Sequence, residues 1–95
     1  MRQITRKAVE ALLVGSNYNN SNTEVRDSAM YLHGHKIAWF DINGQLWISH
    51  CGYTTKTTKE RLNGLPGVNI HQRNYQWYLN GEEWSSCPKC LGKVL

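Results

Sequence analysis

The sharpest local motif is a pair of cysteines near the C-terminal end, in the run Cys87-Pro-Lys-Cys90. Two thiolates at this spacing reach one tetrahedral ion, as in half of a zinc ribbon, and a complete site needs two more ligands. Cys51 is the candidate third ligand, and His71 or a histidine of the 33–35 turn is the candidate fourth. The pattern leaves two alternatives open, which are no cofactor, with the cysteines as free thiols, or one structural zinc on Cys51, His71, Cys87 and Cys90.

A second candidate site is the segment from Thr54 to Arg61, which combines four threonines with two lysines and an arginine. At the start of a helix, exposed backbone N–H groups, hydroxyl donors and the positive end of the helix dipole together hold a phosphate. The alternative is an ordinary capped helix with a solvated basic face. The residues predicted to contact nucleic acid or another partner are Thr54, Thr55, Lys56, Thr57, Lys59, Arg61, Arg73 and Tyr78.

Aromatic residues alternate along the segment that follows this helix. Four Trp and five Tyr stand against one Phe in the whole chain, and such amphipathic rings suit half-buried surfaces and interfaces. Tyr75 and Trp77 are predicted to be core residues of a small sheet. Tyr78 and Trp84 are open to either role, as core residues or as rings that stack on unpaired bases or anchor a protein partner.

Catalytic motifs are not found in this sequence. It contains no glycine-rich phosphate loop, no nucleophile elbow and no histidine–glutamate metal helix, and its seven carboxylates are scattered. We therefore expect a binding protein without enzymatic activity and without a small-molecule substrate.

The composition narrows the class of partner. A net charge of +4 and a pI of about 9.1 favour anionic partners such as nucleic acid. No apolar run approaches the roughly 20 residues that cross a bilayer, and no secretory signal is visible at the N-terminus. Three cysteines, an odd number, fit a reducing compartment better than a disulfide framework. The sequence therefore predicts a location in the cytoplasm and no membrane partner.

The residue pattern in the first half of the chain predicts a helix followed by a meander of three strands. Apolar residues at helical spacing predict a helix over residues 4–14, which ends at Gly15. The Asn- and Ser-rich segment 16–28 predicts a long loop. Alternating residues predict strands over 29–33, 35–41 and 45–51, and Asn43-Gly44 predicts a type I′ hairpin turn between the last two.

The second half predicts a short helix and a hairpin. Thr57 and Glu60 have the spacing of a capping box, and Gly64 followed by Pro66 ends the helix. Strands are predicted over 68–72 and 75–80, before a cysteine-containing tail at 82–95. The expected fold is one α+β domain over 1–95, in which a three-stranded antiparallel meander is extended by a hairpin. The N-terminal helix packs across one face of this sheet.

Three stretches of the chain, 29–38, 52–63 and 72–81, resemble a group of short proteins encoded by tailed bacteriophages. The resemblance covers roughly residues 4–84, and the threonine-rich helix start is its most distinctive part. The cysteine pair lies outside this pattern. The resemblance implies a phage origin, a location in the cytoplasm of the host cell and a role in host takeover, counter-defence or phage gene regulation.

Two hypotheses from different classes follow. The charge favours a small protein that binds the phosphate backbone of nucleic acid. The alternative is an inhibitor of a host protein, such as a defence nuclease (as an anti-CRISPR protein does) or the transcription machinery, whose acidic surface a basic face would occupy.

Overall fold

A computed structural model describes residues 3–84 and 88–93 of the 95-residue chain. These residues form two helices and nine strands, all antiparallel where they pair. The elements are α1 (Gln3–Val14), β1 (Tyr18–Asn20), β2 (Thr23–Arg26), β3 (Ala29–Leu32), β4 (His35–Phe40), β5 (Leu46–Ile48), α2 (Lys56–Asn63), β6 (Ile70–Arg73), β7 (Gln76–Leu79), β8 (Glu82–Glu83) and β9 (Lys89–Gly92). The predicted α+β class, with an N-terminal helix and a short central helix, is confirmed.

Six strands form the main sheet, in the order β1-β2-β3-β4-β5-β9. Its inner face is apolar because Val25, Met30, Ala38 and Ile48 lie in register across four neighbouring strands. Helix α1 contacts β1, β2 and β3, and its buried side chains, such as Leu12, belong to the same core cluster. The N-terminal helix therefore covers one face of the sheet, as expected.

The segment 16–28 forms a hairpin, so the prediction of a long loop was wrong. Burial alternates strictly along strand β2, where Thr23 and Val25 are buried and Glu24 and Arg26 are directed outward. Ser21, Asp27 and Ser28 lie in the turns, where they adopt positive φ, whereas Asn19 and Asn20 are strand residues of β1. Strands of three and four residues between such turns are too short to give a clear alternation in sequence.

The hairpin between β4 and β5 was predicted correctly, but its turn type was not. A type I′ turn needs positive φ at both central residues, and Gly44 (φ 76°) has it whereas Asn43 does not. The N–H of Gly44 donates to the carbonyl of Asp41 at 3.0 Å, and the Asp41 carboxylate accepts from the N–H groups of Asn43 and Gln45. Gly44 is thus the left-handed residue of a longer loop that Asp41 organises.

Strands β6, β7 and β8 form a separate three-stranded sheet. The predicted extension of the meander by the 68–80 hairpin was therefore wrong. Helix α2 contacts both β4 and β6, and the side chain of Asn63 bonds the backbone N–H and C=O of Ile70 at 2.6 and 3.0 Å. The helix fixes where β6 begins, and Trp77 and Leu79 then pack into the same core cluster as α1. Trp77 is thus a core residue as predicted, but the same prediction for Tyr75 was wrong, because Tyr75 lies in the turn before β7 and is exposed. Alternation predicts strands but not the sheet to which they belong.

Part of the predicted tail belongs to the main sheet. Strand β9 pairs antiparallel with β5, with Cys90 opposite Trp47 and Lys89 opposite Ile48. Leu91 packs against the core cluster. Neither helix in the described part of the chain is long and apolar enough to cross a membrane.

Candidate functional site

The start of α2 is held by Thr55, which is the N-cap residue with extended backbone angles (φ −99°, ψ 164°). Its hydroxyl accepts from the N–H of Thr58 at 3.2 Å and lies 3.0 Å from the Thr58 hydroxyl. The predicted capping box of Thr57 and Glu60 was wrong, because the Glu60 carboxylate bonds Thr5 and Arg61 instead. The threonine-rich start of α2 thus satisfies one of the helix's own N–H groups.

Arg61 is buried, with 2% of its surface exposed, so its predicted role in an exposed phosphate contact was wrong. Its Nε donates to Thr23 Oγ1 at 3.0 Å, and one terminal nitrogen donates to Thr5 Oγ1 at 2.7 Å and to Glu60 Oε1 at 2.8 Å. Thr5 also donates to Glu60. A buried guanidinium needs such partners to offset its lost hydration. Arg61 therefore joins α1, β2 and α2, and we call Arg61, Thr5, Thr23 and Glu60 the arginine junction.

The other predicted contact residues are divided between two regions. Thr54 and Lys56 are exposed and Thr57 and Lys59 are half-buried around the start of α2, where Lys56, Lys59, Glu60 and Asn63 line an open depression. Arg73 is exposed on β6, and Tyr78 is half-buried on β7, where its ring stacks on His71 at 5.2 Å and 10°. The predicted set is therefore distributed around α2 and over β6 and β7.

The predicted zinc ligands have separate contacts. Cys51 Sγ donates to the carbonyl of Lys36 at 3.1 Å, Cys90 Sγ lies 3.4 Å from Gln45 Oε1, and His71 stacks on Tyr78. Cys87 lies outside the described residues. Within 3–84 and 88–93, no group of three or more His, Cys, Asp or Glu side chains could hold a metal ion. The zinc site stays a prediction.

The outer face of the main sheet carries a group of aromatic and basic side chains that the sequence analysis missed. We call Tyr31, Trp39 and Trp47, with Arg26 and Lys36, the aromatic face. The Trp39 and Trp47 rings are 3° from parallel with centroids 6.3 Å apart. The Arg26 guanidinium lies 4.4 Å from the Tyr31 ring centroid, and Lys36 Nζ lies 4.9 Å from that of Trp39. These distances are typical of cation–π contacts.

An irregularity in β4 places these side chains together. Met30 pairs with Ala38 whereas Tyr31 pairs with Lys36, so Ile37 is an extra residue in this ladder. Both Ile37 and Ala38 are buried, and the alternation restarts beyond them. Strict alternation along β4 would place Trp39 on the same side as Ile37. The bulge instead directs Lys36 and Trp39 to the same outer face.

The three rings of the aromatic face are accessible. Tyr31, Trp39 and Trp47 are each half-buried, and none belongs to the core cluster or packs against it. The signal in the sequence was the position of Trp47, which alternates with the inward Leu46 and Ile48 and therefore had to face outward. No comparable signal identified Trp39.

Asp41 anchors one end of this face. Its Oδ2 accepts from Trp47 Nε1 at 2.8 Å. The hydrogen bond from Trp47, followed by that from the Gln45 backbone, lowers the pKa of the Asp41 carboxyl below its ordinary value. The carboxylate thus stays ionised and fixes the orientation of the Trp47 ring.

A pocket of about 300 Å³ lies between the β3–β4 turn, the turn after β5 and the start of α2. Its floor is apolar, with Leu32 and Ile37, and the His35 and Tyr53 rings at its rim are 4.5 Å apart. The pocket is lined by Leu32, His33, His35, Ile37, His50, Tyr53, Thr55, Thr57 and Thr58. It thus contains part of the predicted threonine segment together with the histidines of the 33–35 turn.

His50 is held in place on the inner side of this pocket by two tryptophans and a backbone N–H. Its ring contacts Trp77 and Trp84 edge-on, with centroids 5.7 and 4.9 Å away, and burial lowers the pKa of the imidazole. Nδ1 accepts from the N–H of Gly52 at 3.0 Å. The neutral ring therefore carries its proton on Nε2, which is a hydrogen-bond donor.

Comparison with known proteins gives one family. A family model described as Kyanoviridae Gp96 protein matches residues 1–94. Neither the curated proteins nor the solved structures contain a match.

Proposed function

This chain belongs to the Kyanoviridae Gp96 protein family, a family of phage proteins, and we propose that it binds single-stranded nucleic acid without catalysing a reaction. The observation that carries the proposal is the pair of nearly parallel, accessible Trp rings on the aromatic face, with cations beside them. Proteins that bind single strands combine these two features, since bases stack on the rings and cations contact the backbone.

The Trp pair supplies the stacking surface. Each half-buried ring offers an apolar plane to an unpaired base, and each stacked base contributes about 1–3 kcal/mol to binding. In a duplex the faces of the bases are already covered by their neighbours. We therefore expect a preference for single strands and little dependence on base sequence.

The cations predict how strongly salt weakens binding. Lys36 is exposed. Arg26 Nε lies 3.3 Å from Glu24 Oε2 and its Nη1 lies 3.8 Å from Asp27 Oδ2, so these carboxylates partly neutralise the charge of the guanidinium. Each phosphate neutralised on a single strand contributes about −0.7 to the slope of log affinity against log salt. Lys36 alone therefore predicts a slope of about −0.7, and a full contact from Arg26 as well would give about −1.4.

The direct test is a fluorescence titration of the purified protein with a 12-nucleotide single strand and with the matching duplex, at several salt concentrations. We expect quenching of Trp fluorescence by the single strand, weaker binding of the duplex and the moderate salt slope given above. Equal affinity for both forms would contradict stacking. No binding of either would overturn the proposal.

A capture experiment from host lysate separates this function from inhibition of a host protein. We expect the tagged protein to retain nucleic acid and to lose its co-purifying proteins after nuclease treatment. A stoichiometric host protein that stays bound after that treatment would favour the inhibitor hypothesis, in which the same aromatic rings anchor a protein interface.

A further inference from the structure

We propose that the pocket between the β3–β4 turn and the start of α2 binds a single nucleobase, so that the protein has a base-binding site apart from the aromatic face. The inference rests on the proposed function, because it supplies a defined position for one base. The base comes either from a bound strand or from a free nucleotide, and the test below distinguishes these sources.

The size and lining of the pocket fit a planar heterocycle. About 300 Å³ is at the lower end of small-molecule sites, which combine mostly apolar walls with a few polar groups. Leu32 and Ile37 supply an apolar floor, and Tyr53, with 52% of its surface exposed, supplies a ring at the rim. Among the described residues, its lining includes no carboxylate, lysine or arginine. An uncharged ring is thus a better match than a metal ion.

The polar groups suit the edge of a base. His50, neutral and protonated on Nε2, is a donor, and the Thr57 hydroxyl both donates and accepts. A nucleobase edge presents donors and acceptors side by side, whereas a purely apolar ligand would leave these groups without partners.

The pocket is held open by two tight turns. His33 (φ 52°) and Gly34 (φ 81°) form one, and Cys51 (φ 54°) and Gly52 (φ 80°) form the other. The second is closed by the N–H of Tyr53 donating to the carbonyl of His50 at 2.8 Å, and Cys51 Sγ ties it to β4 at Lys36. Non-glycine residues rarely adopt positive φ, and where they do, the surrounding structure holds them in that conformation. The two turns therefore fix the backbone at the rim of the pocket before a ligand binds.

Strand β4 connects the pocket to the aromatic face. His35 and Ile37 line the pocket, and Lys36 and Trp39 of the same strand belong to the aromatic face. His35 and Ile37 lie on the opposite face of β4 from Lys36, so a strand stacked on Trp39 and contacting Lys36 reaches the pocket by crossing the β3–β4 turn, where one base can leave the stack and enter.

The test uses the full chain, the four nucleoside monophosphates, a 12-nucleotide strand, and amide NMR shifts as the readout. We expect the mononucleotides at millimolar concentration to shift the amides of His35, Gly52 and Tyr53. Tyr53→Ala should weaken mononucleotide binding at least about 5-fold, whereas Tyr75→Ala, which removes a ring that is 97% exposed on another turn, should not.

Each outcome separates this inference from the proposed function. If the strand binds and Tyr53→Ala changes neither mononucleotide nor strand affinity, the pocket inference is overturned while the aromatic face stands. Pocket amides that shift with mononucleotides, without any binding of the strand, would support a free nucleotide as the ligand and overturn the proposed function. Shifts with both ligands, weakened together by Tyr53→Ala, would support a base of the bound strand.

Discussion

Two arginines in this protein occupy opposite environments. Arg61 is 2% exposed and donates to Thr5, Thr23 and Glu60 of the arginine junction, whereas the Arg26 side chain is 49% exposed and lies over the Tyr31 ring. The first guanidinium holds α1, β2 and α2 together, and the second is available beside accessible aromatic rings. The comparison shows that burial, and not residue type, separates a structural arginine from one that is placed for the proposed binding. The predictions below test that division.

Replacing Arg61 should have the largest effect on stability. Arg61→Ala leaves the hydroxyls of Thr5 and Thr23 without their donor and the Glu60 carboxylate without its cation, at a cost of about 2–4 kcal/mol in unfolding free energy. Urea denaturation measures this, with Arg26→Ala as the matched control at about 0–1 kcal/mol. Equal losses in the two variants would remove the distinction between the two arginines.

Gly64→Ala should also destabilise the arginine junction. A Cβ at Gly64 would lie 2.5 Å from Thr5 Cγ2 and 3.2 Å from Val9 Cγ2, so α1 and α2 would have to separate. Overpacking of this kind costs about 1–3 kcal/mol. Gly64 has an ordinary helical φ of −76°, so the loss would come from the close packing of the helices. A thermal melt equal to that of the wild type would show that the two helices are not tightly packed here.

Removing the cap of α2 should have a smaller effect. Thr55→Ala removes the acceptor for the Thr58 N–H and should cost about 1 kcal/mol. Thr54→Ala is the matched control, since this exposed threonine precedes the cap. Chemical denaturation of both variants checks the assignment of the cap. A larger loss for Thr54→Ala would place the cap one residue earlier.

The smallest predicted effect is a change in the pKa of Asp41, the carboxyl group that holds the Trp47 ring of the aromatic face. The pKa of Asp41 is lowered from its ordinary value of 3.8, chiefly by the hydrogen bond from Trp47. Its stabilising contribution is therefore present above the unfolded pKa and is lost as the pH falls through the lower folded value. Trp47→Phe removes the donor, so NMR titration should show the Asp41 pKa rising. An unchanged value would mean that the backbone N–H groups alone set it.

The sequence alone predicted the elements with clear periodicity. Helix α1 and strands β3, β4 and β5 were recognised because apolar residues repeat at helical or alternating spacing along them. Strands β1 and β2 were missed because they are short and are bounded by the polar residues of their turns. Local patterns therefore identified the middle of the main sheet but not its edge.

The candidate site was harder to predict because it depends on distant contacts. Arg61 is buried by Thr5 and Thr23, which lie 56 and 38 residues away in the chain, and no local pattern reveals such partners. The bulge at Ile37 changes the face on which Trp39 lies, and a bulge has no signature in this stretch. The threonines at the start of α2 were correctly placed at a helix start, but their role in the pocket needs the 33–35 turn beside them.

The most direct test of the central claim compares two double variants in binding to the same single strand. Trp39→Ala with Trp47→Ala removes the stacking surface, and Lys56→Ala with Lys59→Ala removes the lysines at the start of α2. We expect the first pair to lower affinity at least about 30-fold, since two bases lose about 1–3 kcal/mol of stacking each. The second pair should change it less than about 3-fold, because those lysines lie outside the aromatic face. The reverse order, with the Trp variant binding as the wild type does, would contradict the account and place the binding surface at α2.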